Sequence, residues 1–99
     1  MTAAGAFTIP PGHPSLPGHF PGNPVIPGVL LLAEVFALLG AAHPGMRVSG
    51  LLHAKFLRPV RPGETVTLAS LAKADDRVEF TCRLDGEPAL RGAVRMSPA

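Results

Sequence analysis

His19 is the side chain in this sequence whose setting best suits general-base chemistry. It lies in the run Gly18-His19-Phe20-Pro21-Gly22, directly after Pro17. Because each proline fixes its own φ angle, this loop can hold an imidazole with little conformational freedom. An imidazole changes protonation state near neutral pH, which proton transfer requires. A lone histidine is more often structural, but the rigid surroundings favour a catalytic function.

Glu34 is the second candidate, because it is the only acidic residue among the first 63. It falls inside an apolar segment, where a carboxylate must be paired, protonated or functional. Burial would raise its pKa, which suits a general acid. A polar position that faces a subunit interface explains Glu34 nearly as well, and both interpretations stay open.

The backbone of Gly28 and Val29 is a third candidate. Both residues begin a predicted helix, where the first N–H groups have no acceptor within the helix. Such groups can polarise a carbonyl oxygen. Every helix start offers this, so the pattern is weak without a neighbouring catalytic group.

The other potentially reactive side chains are predicted to be structural. His13 lies in the proline-rich loop and is expected to be exposed or capping, and His43 precedes a helix-ending Pro-Gly, where it suits the helix dipole. His53 falls on the outer face of a strand, and Cys82 on an inner face, where it fills the core. The spacing of the histidines does not favour a metal site, and the absence of a glycine-rich phosphate loop indicates no nucleotide cofactor.

The elements that must position these groups follow from hydrophobic periodicity. A helix is predicted from about Gly28 to Ala42, apolar on every side and therefore buried. Strands are predicted at Phe7–Ile9 and in four later segments with period-two alternation. The first two segments are 46–60, with Met46, Val48, Leu52, Ala54 and Phe56 inward, and 64–73. The third is 77–84, with Val78, Phe80, Cys82 and Leu84 inward, and the last strand has Leu90, Val94 and Met96 inward.

Three turns separate these strands. Pro62-Gly63 is typical of a type II turn, Asp85-Gly86 of a two-residue hairpin, and Asp75-Asp76 of a polar reversal. Four or five antiparallel strands and one helix define an α+β class. A curved sheet wrapped around the helix is the economical arrangement for a single domain over residues 1–99.

Composition limits the partners. The net charge is +2, and residues 1–46 contain one charged side chain. No basic run or aromatic platform favours nucleic acid. A mildly basic surface could attract an acidic protein, although solvated strand faces explain it at least as well. The sequence has one cysteine and neither a secretory signal nor a membrane span, so we expect a cytoplasmic protein.

Two segments carry a resemblance to a known family. The run His19-Phe20-Pro21-Gly22-Asn23-Pro24-Val25-Ile26-Pro27-Gly28-Val29-Leu30 resembles the HFPGxPxxPGVL signature of bacterial 3-hydroxyacyl-acyl-carrier-protein dehydratases. The later run Lys55–Glu64 is similar to their (K/R)FxxPVxPGD segment. Together the similarity covers roughly residues 7–96. The first motif is specific, and the second supports it.

The resemblance implies a hotdog fold and a homodimer, or a higher assembly, with active sites at the interface. The substrate would be a 3-hydroxyacyl thioester on an acyl carrier protein. By this resemblance, His19 removes the proton next to the thioester carbonyl, and the N–H groups of Gly28 and Val29 hold the carbonyl oxygen. Phe20 contributes to substrate binding, and a helical carboxylate of the other subunit protonates the departing hydroxyl.

The sequence departs from the family pattern at the acid. The family carboxylate stands five residues after the glycine that starts the helix, which is Ala33 here, and Glu34 lies one residue later. One residue turns a helical side chain by about 100°. A π-bulge could restore its direction, or His19 could act with water or another acid. Otherwise the chain is a non-catalytic acyl-binding or partner subunit. A hotdog thioesterase is the remaining alternative, although such enzymes usually lack the histidine loop.

Overall fold

The computed structural model describes residues 1–12 and 25–99, and within them one helix and five strands. The predicted functions of His13, His19 and Phe20 concern positions outside the described residues. In chain order, the elements are β1 (Thr2–Thr8), α1 (Gly28–Ala42), β2 (Met46–Phe56), β3 (Thr65–Ala72), β4 (Arg77–Leu84) and β5 (Glu87–Pro98).

All five strands form one antiparallel sheet in the order β1-β3-β4-β5-β2. The strands β3, β4 and β5 are joined in sequence by short turns and lie side by side. Within the described residues, β1 and β2 each have one strand neighbour and form the two edges. This arrangement confirms the α+β class and gives five strands, the larger of the two predicted numbers.

The three predicted turns are present. Gly63 has a φ of 87°, and the N–H of Glu64 donates to the carbonyl of Arg61 over 3.2 Å, as a type II turn after Pro62 requires. Asp85 and Gly86 have φ angles of 52° and 80°. Two successive positive φ angles match the right-handed twist of the hairpin strands. Asp75 and Asp76, at 61° and 59°, reverse the chain in the same way.

The alternation of β4 and β5 places one face of the sheet in the core. The predicted inward residues are all buried in these two strands. They join the helix and the other strands in one apolar cluster, whose fully buried members include Ile9, Val35, Leu39, Val60, Val66, Phe80, Cys82, Leu90, Val94 and Met96. Burial of this contiguous apolar surface is the main force that holds the helix on the sheet.

The helix has the predicted bounds, Gly28–Ala42, but the described residues do not cover it on every side. Leu31, Val35 and Leu39 face the sheet and are buried. Val29 is 78% exposed, and Ala33 and Ala37 are exposed as well. A single sheet covers one side of a helix, so the prediction of burial all round holds only on the sheet-facing side. No described helix has the length and hydropathy needed to cross a membrane.

Both edge strands differ from the sequence prediction. In β2, register shifts between Val48 and Gly50 and between Leu51 and His53 interrupt the alternation, and Leu52 is 40% exposed where an inward position was predicted. A bulge adds a residue on one strand and so moves the following side chains. The first strand is longer than the predicted Phe7–Ile9, since backbone pairing with β3 extends it through small residues to Thr2.

Candidate active site at the start of the helix

The first turn of α1 opens onto a cavity of about 500 Å³. Its described lining is mostly apolar and comes from the segment before the helix, the first turn of the helix and the segment after β2. These residues are Val25, Ile26, Pro27, Gly28, Leu31, Phe56, Leu57, Arg58, Pro59 and Val60. A cavity of this size and composition can enclose part of an acyl chain and its thioester.

Backbone hydrogen bonds fix the two segments that border this cavity. The N–H of Ile26 donates to the carbonyl of Val60 over 2.8 Å. On the other side, the N–H groups of Leu57 and Arg58 both donate to the carbonyl of Ala89, at 2.8 and 3.3 Å. The start of the helix is thereby held against the end of β2, and the cavity lies between them.

The helix start presents unused donors to the cavity. Pro27 precedes the helix with an extended backbone, φ −58° and ψ 143°, and its carbonyl accepts from Leu30 and Leu31 at 3.0 and 3.2 Å. Among the described residues, the N–H groups of Gly28 and Val29 have no acceptor. Free N–H groups at the positive end of a helix dipole stabilise a developing negative charge.

Gly28 also allows a close approach between the helix and β2. A Cβ atom built on Gly28 would lie 2.8 Å from the Cζ atom of Phe56. The Phe56 ring therefore packs against the backbone of the first helical turn, and any side chain at position 28 would push the ring aside. The glycine keeps the N–H groups accessible beside a flat apolar wall.

Arg58 is the only cation among the described lining residues. Its guanidinium donates to the carbonyl of Leu84 over 3.3 Å, which fixes the side chain beside the cavity. Sequence reasoning assigned Arg58 and Phe56 no function, although both lie in the second family-like segment, Lys55–Glu64. The resemblance of that segment to the family motif was the sequence feature that could have identified Phe56 and Arg58 as residues of the site.

Glu34 lies away from this cavity. It is half-buried, it does not line the cavity, and within residues 1–12 and 25–99 it has no hydrogen-bond or ion-pair partner. Six residues of helix place its Cα about 9 Å along the axis from that of Gly28. Ala33 is exposed on the side of α1 that faces away from the sheet. The structure thus places Gly28 in the described lining of the cavity, and Val29 and Glu34 lie outside that lining.

The remaining candidates occupy positions that fit their predicted structural roles. His43 caps the C-terminus of α1, and its N–H donates to the carbonyl of Leu39 over 3.1 Å. His53 is exposed, with its Nε2 atom 3.4 Å from the guanidinium of Arg77. Cys82 is 1% exposed, and burial raises the pKa of its thiol to about 12. Across the described residues, no three potential ligands group into a metal site.

Comparison with known proteins identifies the family. Residues 1–93 match the family model of ApeI-like proteins, described as ApeI dehydratase. The 3-hydroxyacyl-(acyl-carrier-protein) dehydratase FabZ of Thermomicrobium roseum is 43% identical over 93% of this chain and 70% of its own length. For the first three curated relatives, the chain spans between 53% and 70% of their lengths.

Solved structures with the same fold include dehydratases and thioesterases. A chain of the dehydratase heterocomplex ApeI:P from Xenorhabdus doucetiae has a TM-score of 0.77 and 27% identity, over 92% of this chain and 82% of its own. The fluoroacetyl-CoA-specific thioesterase FlK, as its F36A mutant, has a TM-score of 0.70 at 16% identity, over 94% of this chain and 84% of its own. The second likeness concerns the fold alone.

The sheet, the helix packed on it and these likenesses define a hotdog-fold protein of the dehydratase class. The chain belongs to the ApeI-like dehydratase family, and its relatives named FabZ are hydro-lyases that act on 3-hydroxyacyl groups. This confirms the fold and the family that the His19–Leu30 segment indicated.

Proposed function

We propose that this protein removes water from a 3-hydroxyacyl thioester, carried by an acyl carrier protein, to give a trans-2-enoyl thioester. The reaction would serve fatty-acid or related acyl-chain biosynthesis in the cytoplasm. The protein would act as a homodimer with its active sites near the subunit interface, and it would need no cofactor. The relatives named FabZ and the ApeI-like family support the reaction class.

One observation carries the proposal. The N–H groups of Gly28 and Val29 have no acceptor among the described residues, and Gly28 lines the apolar cavity of about 500 Å³. These donors directly follow, in sequence, the segment that contains His19 and Phe20. A thioester oxygen bound to the two N–H groups would place the rest of the acyl chain against apolar walls.

The proposed steps balance protons and electrons without another reactant. His19 takes the proton from the carbon next to the thioester carbonyl, and the electron pair moves toward the carbonyl oxygen. The N–H groups of Gly28 and Val29 stabilise the enolate that develops there. Return of the electron pair forms the double bond as the 3-hydroxyl leaves, protonated by an acid. In this proposal, Phe20 contributes to substrate binding, as the family resemblance implies.

The remaining group to assign is the acid that protonates the departing 3-hydroxyl. Glu34 is the helical carboxylate of this chain, and the family resemblance implies that the acid would stand at the position of Ala33. In a dimer, the outward face of α1 would meet the other subunit, and a half-buried Glu34 could reach its active site from the flank. We propose Glu34 as the acid, with water or another acid as the alternative.

A second candidate function follows from the exposed Ala33. With no acid at this position, the chain could be the histidine-bearing subunit of a mixed pair in which a homologue supplies the carboxylate. The similarity to a chain of the heterocomplex ApeI:P supports this candidate. A thioesterase has only the shared fold in its favour, at 16% identity.

The deciding experiment is an assay of the purified protein with 3-hydroxyacyl thioesters of several lengths on an acyl carrier protein. Mass spectrometry would follow the enoyl product and any free carrier thiol. The variants are His19→Ala, Glu34→Gln and Ala33→Glu, and a fourth variant combines the last two. We expect product from the wild type, about a hundredfold less from either single loss of a catalytic group, and partial rescue of Glu34→Gln by Ala33→Glu.

Each outcome separates the candidates. Product that disappears only in His19→Ala would leave the reaction in place and remove Glu34 from it. Activity that appears only with Ala33→Glu would favour the mixed pair, with the acid normally supplied by another chain. A free thiol without enoyl product would identify a thioesterase. No reaction by a folded wild type and by Ala33→Glu would contradict the dehydratase proposal.

A further inference from the structure

A recess at the end of α1 that lies farthest from the candidate active site is partly lined by polar side chains. It has a volume of about 260 Å³ and is bordered by the start of β1, the end of α1 and the end of β3. Its polar lining residues are Thr2, His43 and Ser70, and the other described lining residues are alanines and one leucine. The length of α1, about 21 Å, separates this recess from the cavity at Gly28.

Ser70 interrupts the apolar inner face of β3. Along this strand, Val66, Leu68 and Ser70 alternate inward, and Ser70 is 7% exposed. Its hydroxyl makes no hydrogen bond within the part of the chain that the structure describes. A buried hydroxyl without a partner destabilises a fold, and alanine would fill the same position without that cost. Ser70 therefore points to a hydrogen-bond partner that these residues do not supply.

Thr2 and His43 lie beside Ser70. Thr2 is directly opposite Ser70 in the β1–β3 ladder, so both side chains are on the same face of the sheet, with Cβ atoms about 5 Å apart. The Thr2 hydroxyl also has no hydrogen bond to a described residue. His43 borders the recess, and its Nε2 atom is enclosed without a hydrogen-bond partner among the described residues. Two unpaired hydroxyls and a histidine with an unpaired ring nitrogen therefore border one recess.

The charges around the recess do not favour an anion. The described lining contains no lysine and no arginine. Lys73 follows the last lining residue of β3, but its Nζ atom lies 4.0 Å from a carboxylate oxygen of Glu79. A carboxylate or a phosphate would therefore enter the recess without a cationic partner, which makes the loss of its hydration costly.

The end of α1 instead favours a positively charged group. Ala42 is the last helical residue and lines the recess, and its carbonyl accepts no backbone hydrogen bond from a described residue. The C-terminal end of a helix carries a partial negative charge that stabilises cations. This carbonyl and the hydroxyls of Thr2 and Ser70 supply three acceptors, the number of N–H groups on a primary ammonium. The alanine and leucine side chains around them suit a short alkyl group.

We propose that this recess binds a short primary alkylammonium ion. The hydroxyls of Ser70 and Thr2 and the carbonyl of Ala42 accept hydrogen bonds from its three N–H groups, and the alkyl group lies against the apolar walls. A volume of about 260 Å³ admits an ion of a few carbon atoms. The site lies apart from the candidate active site, and it does not depend on the proposed function.

The first test is a titration of the isotope-labelled wild type with ethylammonium chloride at constant ionic strength, followed by NMR. Ethanol and sodium acetate are the neutral and the anionic comparison ligands of similar size. We expect saturable shifts of the amide signals of His43, Ser70 and Leu71 with ethylammonium. Ethanol should bind roughly tenfold more weakly or less tightly still, since it lacks the charge and two of the donors, and acetate should not saturate.

Removal of each hydroxyl tests the proposed contacts. Ser70→Ala should weaken the Kd for ethylammonium roughly tenfold, which corresponds to the loss of one hydrogen bond to a charged group. It should not destabilise the ligand-free protein, because it removes a buried hydroxyl that has no partner among the described residues. Thr2→Val should give a smaller loss of affinity, since Thr2 is exposed and water replaces its contact more easily.

The matched control is Ser49→Ala. Ser49 is exposed on β2, and its hydroxyl already pairs with that of Ser97 over 2.7 Å, so the Kd should change less than about twofold. Wild-type affinity in Ser70→Ala would overturn the proposed site, as would equal affinities for ethylammonium and ethanol. A wild type that shows no saturable shifts with ethylammonium, or shows them only away from the recess, would also overturn it.

Discussion

The two faces of α1 have similar apolar sequences and very different surroundings. On the sheet-facing side, Leu31, Val35 and Leu39 are 4%, 0% and 0% exposed. On the opposite side, Val29 is 78% exposed, and Ala33 and Ala37 are uncovered as well. One face is part of the core, and the other is not covered by the described residues. Under the proposed function, this second face is where the other subunit would pack.

The sheet-facing side should dominate the stability of the fold. Leu39→Ala removes buried methyl groups and leaves a cavity, so we expect it to lower the free energy of unfolding by about 2–5 kcal/mol. Val29→Ala, on the exposed side, should stay within about 0.5 kcal/mol at a protein concentration that keeps the chain monomeric. Urea denaturation of both variants measures the difference. Equal losses would mean that the two faces do not differ as described.

The outward face of α1 should instead determine whether two copies of the chain form the proposed dimer. Ala37→Arg adds a long charged side chain where a second copy would pack, so we expect the proposed dimer to dissociate while the core stays intact. Light scattering after size exclusion gives the mass, and circular dichroism checks the fold. Ala74→Arg, in the exposed turn after β3, is the matched control and should keep the wild-type mass. A dimer that persists in Ala37→Arg would place the contact elsewhere, for example on the edge strand β2.

Gly40 offers a finer probe of the same face. It lies within α1, and apart from the adjoining helix backbone, a Cβ atom added there meets no atom of the described residues within 4 Å. In a monomer, Gly40→Ala should therefore stabilise the helix by up to about 1 kcal/mol, since alanine has the higher helix propensity. Gly28→Ala, where the added atom meets the Phe56 ring, should lack this gain. Destabilisation by Gly40→Ala that appears only at dimer-forming concentrations would place Gly40 inside the interface.

Much of this fold could be predicted because local signals and tertiary packing agree. The helix bounds follow from Pro27 and the His43-Pro44-Gly45 stop, and the β4–β5 hairpin follows from strict alternation around Asp85-Gly86. Besides the exposed face of α1 and the longer β1, one failure concerns register. Two register shifts in β2 accompany the exposure of Leu52. The residue pattern of β2 does not predict these shifts, because they depend on its pairing with β5.

The candidate site was only partly predictable for a related reason. The donors at Gly28 and Val29 follow from a helix start, which is local in sequence. The cavity depends on Phe56 and Arg58, which reach it only because Leu57 and Arg58 hydrogen-bond to Ala89. Such long-range contacts are invisible to periodicity. The roles of His19, Phe20 and Glu34 stay predictions.

The alkylation rate of Cys82 can measure solvent access to the sheet-facing side of α1 without a substitution. It belongs to the same apolar cluster as Leu39, and burial raises the pKa of its thiol from 9.0 to about 12. Because the thiolate is the reactive form, the native protein should resist alkylation at neutral pH and react only after unfolding. Mass spectrometry after timed exposure to iodoacetamide, with and without urea, measures this.

The same shift has a consequence for the dependence of stability on pH. The folded pKa lies above the unfolded value, so the unfolded chain loses this proton first as pH rises. The Cys82 contribution is therefore complete below about pH 9 and should fall by about 1.4 kcal/mol per pH unit between pH 9 and 12. Cys82→Ala should lack this component while the other groups titrate as before. Rapid alkylation of the native wild type, or an identical alkaline profile in Cys82→Ala, would mean that solvent reaches the sheet-facing side of α1 as well.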